Sequence, residues 1–232
     1  MRIITPSTIP NFLCIGAKKA GTTWLAHNLG QHPNVWMPPV KELNYFSDNA
    51  RFPKFFYLLQ KSNEGRITRD DVRHVRTPSY WLFRYLCMYR NDAWYSSLFM
   101  PQKGQICGES APMYAILDEN KIAHVREFLP NLKILYLLRN PVERVWSNVK
   151  MRVEKSQRRS IDDLTEAEIM QLLQSRWGVF ERENLYLSII ARWQKQYSSD
   201  QFYINFFDQL EAEPVHFYTS VLRFLDLPVD KQ

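Results

Sequence analysis

The feature that most constrains this chain is a strand–loop–helix pattern over residues 11–25, NFLCIGAKKAGTTWL. The apolar run 12–15 has the length expected of a buried strand, and residues 24–29 favour a helix. Between them lies a glycine-flanked turn that carries Lys18 and Lys19. The first N–H groups of a helix have no intrahelical partner, and the helix dipole places partial positive charge there. The pattern therefore predicts an anion site, of the kind that binds phosphate, where this helix begins.

The turn is similar to the phosphate-binding loop GxxxxGK[ST] but departs from it at one position. Gly16 and Gly21 have the right spacing, and Thr23 occupies the Ser/Thr position. Thr22 stands where that loop has its lysine, and Lys19 lies inside the loop instead. Because a nucleoside triphosphatase needs that lysine to reach the outer phosphates, the displaced lysine indicates a different phosphorylated ligand. A glycine turn with exposed lysines is the alternative interpretation.

A second apolar run, residues 132–138, ends abruptly in Arg139. Its continuous apolar character is typical of a parallel strand buried on both faces. Pro141 suits the first turn of a following helix, which carries Ser147 about two turns in. A nucleoside triphosphatase commonly has a magnesium-binding aspartate at the position of Arg139, whereas a guanidinium binds a phosphate directly. We therefore expect an anion site without a metal.

The chain between these runs supplies further candidates. Glu42, within residues 41–46, is either a solvated surface group or a base that faces the phosphate loop. Residues 105–114, QICGESAPMY, predict a short strand that ends at a glycine, followed by a loop at the ligand-binding edge of a sheet. Residues 50–95 are basic and aromatic, and residues 50–115 are expected to build a pocket whose aromatic content fits a sugar face or a small apolar molecule equally well. His74 is expected at the surface.

The order of the predicted elements defines the fold class. Strands alternate with helices, which predicts an α/β protein of three layers, with a central, mostly parallel sheet flanked by helices. A single domain over residues 1–232, with 1–10 as a lead-in, is expected because 45% of the residues are apolar. Further helices are predicted over residues 121–129, 142–154, 161–177, 184–198 and 214–225, and a last strand over 201–207.

Charge and cysteine content restrict the partners and the compartment. The net charge of +6 is moderate and spread out, which favours an anionic ligand over a nucleic-acid groove. Three cysteines without metal-type spacing predict no disulfide framework. No run approaches the ~18 apolar residues of a membrane span, and the first ten residues lack the apolar core of a signal peptide. The expectation is a cytoplasmic chain with neither a nucleic-acid nor a membrane partner, and no pattern fixes an oligomeric state.

Taken together, these residues resemble the sulfotransferases that use 3′-phosphoadenosine 5′-phosphosulfate (PAPS). Residues 19–24 are similar to the family's 5′-phosphosulfate loop, and residues 139–141 with Ser147 are similar to its 3′-phosphate motif. Each follows an apolar strand, in the family's order, and the resemblance covers residues 11–228. It implies a P-loop-like fold, PAPS as the donor, 3′-phosphoadenosine 5′-phosphate (PAP) as the product, and no metal.

The same resemblance assigns roles to individual residues of the donor site. It implies that backbone N–H groups over residues 20–23 hold the 5′-phosphate and that Lys19 neutralises charge on the oxygen bridging to sulfur. Arg139 and Ser147 would hold the 3′-phosphate. Trp24 matches the cytosolic branch, in which this residue stacks on adenine. The implied donor-binding residues are Lys18, Lys19, Ala20, Gly21, Thr22, Thr23, Trp24, Arg139 and Ser147.

Residues 41–46 resemble the segment that bears the catalytic glutamate in heparan-sulfate-type and related carbohydrate sulfotransferases. The resemblance implies that Glu42 takes a proton from a hydroxyl or amine of the acceptor, which would be a carbohydrate or a small molecule. Residues 108–114 also resemble that branch, some members of which have a lysine at the position of Ser110. The family usually continues beyond the equivalent of Pro228 with a basic loop that closes on the 3′-phosphate. Here that role would fall to residues after 232 or to basic residues of 152–159.

Two other interpretations of the residues stay open at this point. A P-loop-type nucleotide kinase or triphosphatase shares the strand–loop–helix logic, although Thr22 and Arg139 disfavour it. A polyanion- or nucleic-acid-binding module would account for the basic and aromatic middle of the chain, and binding that weakens steeply with salt would identify it.

Overall fold

A parallel sheet forms the centre of the molecule. The structure is a computed structural model in which residues 9–47, 78–157 and 159–229 are described. Within these residues, five parallel strands pair in the order β2-β3-β1-β4-β5. The strands are β1 (Phe12–Gly16), β2 (Val35–Trp36), β3 (Ile106–Ser110), β4 (Lys133–Leu138) and β5 (Phe202–Phe206). The α/β class with a central parallel sheet, predicted from the sequence, is confirmed.

Helices cover the two faces of this sheet. From β1 the chain crosses to β2 at one edge of the sheet, whereas from β3 it crosses in the opposite direction, to β4. Since crossovers between parallel strands are right-handed, the helices that follow β1 and β3 lie on opposite faces of the sheet. On one face Trp24 contacts Phe217 edge to face, with ring centroids 6.2 Å apart. The helices of the described residues are α1 (Thr22–Gln31), α2 (Pro78–Cys87), α3 (Asp92–Ser97), α4 (Glu119–Phe128), α5 (Pro141–Gln157), α6 (Glu166–Asn184), α7 (Tyr186–Gln194), α8 (Phe207–Ala212) and α9 (Pro214–Phe224). Thus α1 packs with α9, whereas α4 packs with α7 on the other side of the sheet.

The two central strands end side by side. All of β1 is buried, as is β4 after its first residue, which explains why both read as continuous apolar runs. They pair in parallel, with Cys14 opposite Leu135. Neighbouring parallel strands present their carboxyl ends at one edge of the sheet. The turn after β1 and Arg139 after β4 are therefore brought to the same edge.

The strand β3 continues beyond the glycine at which the sequence predicted its end. Gly108 lies against β1, and a Cβ atom at position 108 would fall 2.4 Å from the carbonyl oxygen of Phe12. Glycine here permits the close approach of two strands and does not mark a turn. Glu109 and Ser110 consequently belong to β3, and Ser110 pairs with Cys14.

The helix predicted over residues 161–177 is divided and displaced. A short 3₁₀ turn, Ile161–Asp163, comes first, and α6 then begins at Glu166 and runs to Asn184. The division follows from a capping box in which the Thr165 side chain accepts the N–H of Glu168, whose carboxylate accepts the N–H of Thr165. The lead-in residues 1–8, His74 and the 50–77 part of the expected pocket lie outside the described residues.

Candidate active site

The loop between β1 and α1 leaves the N-terminus of α1 without an internal cap. Gly21 is the N-cap residue, with φ of 82°, and Lys19 also has left-handed φ, at 69°. Gly21 has no side chain with which to cap this helix, and the first turn has no acidic residue. A Cβ atom at position 21 would lie 2.4 Å from Cδ2 of Leu210, so this position requires glycine. The first-turn N–H groups are therefore available to an anionic ligand, as an anion site requires.

The remaining loop residues divide between the core and the surface. Ala20 is fully buried, and its N–H donates to the carbonyl of Ala17 at 3.2 Å. Thr22 is buried, whereas Thr23 is exposed. Of the backbone donors predicted over residues 20–23, the N–H of Ala20 thus has an acceptor inside the protein.

Arg139 joins the two predicted phosphate motifs. Its Nη1 donates to the carbonyl oxygen of Lys19 at 3.1 Å, and its guanidinium lies over the ring of Phe207 at 4.2 Å. Its Nε is 3.4 Å from a carboxylate oxygen of Glu143. The side chain is 18% exposed, so its donors are held by packing yet reach the cavity. A planar cation held on an aromatic ring suits bidentate contact with a phosphate.

A cavity of about 440 Å³ lies at this edge of the sheet. Among the described residues its wall carries four cations, Lys18, Lys19, Lys41 and Arg139, and one carboxylate, that of Glu42. The structure brings together most of the residues that the sequence singled out. The predicted residues on its wall are Lys18, Lys19, Gly21, Thr22, Thr23, Glu42, Arg139 and Ser147. An excess of cations at an uncapped helix N-terminus suits a ligand with more than one anionic group.

The sequence reasoning gave no role to Lys41, Pro112, Met151 or Phe207, which also line this cavity. Lys41 Nζ donates to Thr23 Oγ1 at 2.6 Å and lies 3.7 Å from Glu42 Oε1. This lysine therefore connects the segment of Glu42 to the start of α1. In the sequence Lys41 is visible only as the neighbour of Glu42, and nothing in that pattern predicts its hydrogen bond to Thr23.

Glu42 lies on the cavity wall and is not directed away from it. Its backbone is left-handed, with φ of 61°, and its side chain is 37% exposed. Non-glycine residues rarely adopt this conformation, and such residues cluster at functional sites. Of the two interpretations open from the sequence, this position agrees with the one in which the carboxylate faces the phosphate loop.

The predicted contributors Ala20, Trp24 and Arg152 do not line this cavity. The ring of Trp24 packs edge-on against Phe217 and Tyr218, with centroids 6.2 and 6.1 Å away. Its stacking on adenine stays a prediction. Ser147 lines the cavity, whereas Arg152, on another face of α5, lines a second cavity.

A fully buried carboxylate, Glu109, stands beside the site on β3. It accepts hydrogen bonds from the hydroxyls of Tyr95 and Tyr114, each at 2.7 Å, and from the N–H of Leu43 at 3.0 Å. Burial raises the pKa of Glu109 to about 7, although these three donors oppose the shift. The sequence showed Glu109 only as part of a polar pair after a glycine, which gave no indication of this network.

The second cavity, of about 550 Å³, adjoins the first through Lys18, which lines both. Cations outnumber carboxylates on its wall. The cations are Lys18, Lys121, Arg152, Arg176 and Arg182, and the carboxylates are Asp118 and Glu183. Burial lowers the pKa of Lys18, and Arg152 and Arg176 lower it further, against the opposing charge of Glu183. Burial likewise lowers the pKa of Arg152, with Arg176 adding to the effect.

The described residues contain no group of three or more His, Cys, Asp or Glu side chains that could hold a metal ion. No helix within these same residues has the length and apolar character that are needed to cross a bilayer. The cytoplasmic location expected from the sequence stays a prediction.

Comparison with known proteins identifies the family. The model of the Sulfotransferase family matches residues 10–231, and the chain therefore belongs to this family, as the resemblance of its motifs predicted. A crystal structure of a sulfotransferase from Alicyclobacillus acidocaldarius shares the fold, with a TM-score of 0.67 and 24% identity. The similarity covers 97% of this chain and 83% of that one.

The curated relatives are longer than this chain. The heparan sulfate glucosamine 3-O-sulfotransferase 5 of Mus musculus is 24% identical over 225 residues, which are 95% of this chain and 54% of that protein. The membrane-associated sulfotransferase kil1 of Dictyostelium discoideum is 27% identical over 146 residues, 63% of this chain and 24% of that protein. The matched residues thus span about half of the length of the first of these relatives and about a quarter of the length of the second.

Proposed function

We propose that this chain transfers the sulfuryl group of PAPS to a hydroxyl or amine of an acceptor, with Glu42 as the base. One observation carries the proposal: Arg139 donates to the carbonyl of Lys19 at 3.1 Å, and both residues line one cavity. Membership of the sulfotransferase family supports the reaction class. The family match over residues 10–231 likewise supports a single domain over the chain.

The residues of the first cavity fit a donor with anionic groups at both ends. The uncapped N-terminus of α1 supplies backbone donors for the 5′-phosphosulfate, beside Lys18 and Lys19. Arg139 and Ser147 would hold the 3′-phosphate, which distinguishes this donor from ATP. A cavity of about 440 Å³ is within the range of nucleotide-sized ligand sites.

The proposed chemistry is an in-line displacement at sulfur. Glu42 takes the proton of the acceptor hydroxyl or amine while the acceptor oxygen or nitrogen bonds to sulfur. The bond between sulfur and the bridging oxygen breaks, and PAP leaves with that electron pair. Lys19 neutralises the charge that develops on the bridging oxygen, and Lys41, which bonds to Thr23, adds a cation beside it. Positioning and charge stabilisation supply most of the rate in reactions of this kind.

We place the acceptor in the second cavity, because Lys18 belongs to the walls of both cavities. Glu183, one of its two carboxylates, is already bonded to the buried Arg144 at 2.7 Å. The Nε of Arg176 is buried and has no hydrogen-bond partner within the described part of the chain. Crowded cations with an unsatisfied donor favour an acceptor that carries carboxylate or sulfate groups. The heparan sulfate relative, by its name, acts on a carbohydrate, which agrees with an anionic carbohydrate as the acceptor class.

Donor identity is tested first, by calorimetry with PAP and, separately, with ATP and magnesium. The proposal expects tight, magnesium-independent binding of PAP and weak binding of ATP. The reverse preference would support the kinase or triphosphatase interpretation. Binding of DNA or heparin that falls steeply with salt, without any transfer, would support the polyanion-binding module.

Acceptor class is tested by a labelled-sulfate transfer screen from PAPS across glycans, phenols and lipid alcohols. A uronate–glucosamine oligosaccharide and its carboxyl-reduced analogue form the decisive pair. We expect faster transfer to the oligosaccharide that keeps its carboxylates. Arg176→Gln should raise the KM for that oligosaccharide and leave the KM for the carboxyl-reduced analogue unchanged. The exposed Arg223, changed to Gln, is the matched control. Equal rates with the two oligosaccharides would exclude an anionic acceptor and leave the donor assignment intact.

A further inference from the structure

The segment that carries Glu42 has no regular secondary structure to hold it in place. Residues 41–44 follow β2 in the chain, and both Glu42 and Asn44 have left-handed backbone, with φ of 61° and 54°. Such a conformation is disfavoured for non-glycine residues and persists only where the surroundings impose it. The position of the Glu42 carboxylate therefore depends on contacts made by its neighbours in the chain.

Those contacts converge on the residue after Glu42. The N–H of Leu43 donates to Glu109 Oε2 at 3.0 Å, and the carbonyl of Leu43 accepts from Arg90 Nη2 at 3.0 Å. Two residues further on, the N–H of Tyr45 donates to the hydroxyl of Tyr114 at 2.8 Å.

The carboxylate of Glu109 is the centre of this arrangement. Its Oε1 accepts the hydroxyls of Tyr95 and Tyr114, each at 2.7 Å, while its Oε2 accepts the N–H of Leu43. Tyr114 thus contacts both the carboxylate and the backbone of Tyr45. A buried carboxylate with three donors is fixed in orientation, and replacing it leaves those donors unsatisfied.

Ser110, which follows Glu109 in β3, contacts the start of α1. Ser110 Oγ donates to the carbonyl of Thr22, in the first turn of α1, at 3.4 Å. Successive side chains of a strand point to opposite faces, so Glu109 and Ser110 reach different segments. Two adjacent residues of one buried strand therefore contact the segment of Glu42 and the start of α1, respectively.

We propose that Glu109 is a positioning residue that fixes the Glu42 carboxylate relative to the phosphate loop. This inference rests on the proposed role of Glu42 as the base. Glu109 is fully buried and does not line either cavity, so it acts through the backbone of Leu43 and makes no contact with the substrates. A misplacement of about 1 Å in a catalytic group can reduce a rate about 100-fold.

The test is a double-mutant cycle with Glu109→Gln, Glu42→Gln and the double variant, using the best acceptor of the transfer screen. We expect Glu109→Gln to lower kcat about 10- to 100-fold, with the PAP dissociation constant unchanged within about twofold. In the Glu42→Gln background the same change should lower kcat by less than about twofold, because no base is left to position. The exposed Glu127, changed to Gln, is the control that should leave kcat unchanged.

Equal losses of kcat from Glu109→Gln in both backgrounds would overturn the proposal, as would an unchanged kcat. Should Glu109→Gln fail to fold, Tyr95→Phe is the alternative variant, because it removes one hydrogen bond to the Glu109 carboxylate and keeps the aromatic ring. A fall in kcat of about threefold or more, present in the wild type and absent in Glu42→Gln, supports the proposal, and no change refutes it. A Glu42→Gln variant as active as the wild type would instead refute the role of Glu42 as the base.

Discussion

The guanidinium of Arg139 donates a hydrogen bond to the carbonyl oxygen of Lys19 at 3.1 Å, across 120 residues of sequence. The two residues follow neighbouring parallel strands, β4 and β1, and this contact joins the two anion-binding motifs. Arg139 also lies on the ring of Phe207, which belongs to α8 after the edge strand β5. The proposed donor site is therefore built from three separate parts of the chain that only the sheet brings together.

Replacing Arg139 by Lys should weaken donor binding and reduce its selectivity. Lysine keeps the charge but loses the planar fork that contacts both the Lys19 carbonyl and a phosphate. A hydrogen bond to a charged group contributes about 1.5–3 kcal/mol, so we expect PAP to bind about 10- to 100-fold more weakly. Calorimetry with PAP and with 5′-AMP should show a smaller difference between them. An unchanged preference for PAP would remove Arg139 from the 3′-phosphate site, with Arg223→Lys as the control.

Replacing Lys19 by Ala should act on turnover more than on binding. Its cation is proposed to stabilise charge that develops only as the bond to sulfur breaks, and removing one such group costs about 10²–10³ in kcat. The measurements are kcat for labelled-sulfate transfer and the dissociation constant of PAP. The exposed Lys103, changed to Ala, controls for loss of net charge. A Lys19→Ala variant that turns over at the wild-type rate would exclude it from the mechanism.

Replacing Glu42 by Gln should remove the base and preserve the donor site. General base catalysis contributes about 10²–10⁴-fold, and we expect kcat to fall within that range. PAP should still bind, because the substitution removes a negative charge from the cavity wall and leaves its four cations in place. Parallel losses of kcat and of PAP affinity would make Glu42 a structural residue, and Glu127→Gln is the comparison variant.

Stability should depend strongly on the buried ion pair between Arg144 and Glu183, at the wall of the second cavity. Arg144 is fully buried and donates to Glu183 at 2.7 Å, to Asn184 at 2.6 Å and to the carbonyl of Phe180 at 3.2 Å. Removing one charge leaves the other unpaired, so Glu183→Gln should lower the free energy of unfolding by about 3–5 kcal/mol. Urea denaturation measures this, with the exposed Glu181→Gln on the same helix as the control. A loss below about 1 kcal/mol would contradict the prediction.

Glu109 should make stability depend on pH between about 4.5 and 7. Burial raises the pKa of Glu109 from 4.5 to about 7, and the nearby charge of Glu42 adds to the rise. The hydrogen bonds from Tyr95, Tyr114 and Leu43 lower the pKa but do not cancel this rise. Because the folded state holds this proton more tightly, the stabilising contribution is complete below pH 4.5 and is lost as the pH rises through 7. Relative to Glu109→Gln, the wild-type free energy of unfolding should fall by about 3 kcal/mol across this range. Urea titrations of both proteins at four pH values between 4.5 and 8 measure the difference, and a constant difference would refute the assignment.

Local chemistry made the main elements predictable. The apolar runs before Gly16 and Arg139 became β1 and β4, and Pro141 begins α5 as predicted. Glycine was less informative, because one residue type serves several purposes. Gly21 holds a left-handed turn, whereas Gly108, read as the end of a strand, allows β1 and β3 to approach.

The sequence by itself determined the family and the parallel α/β fold, because strands, helix starts and a phosphate loop depend on residues close together in the chain. It also identified most of the residues on the cavity wall by type. Only the tertiary structure decided that Lys41 reaches Thr23, that Phe207 lies under Arg139, and that Glu109 holds the backbone beside Glu42. These contacts join segments distant in the sequence. The register of the parallel strands, set by burial of the central strands β1 and β4, brings them within contact distance.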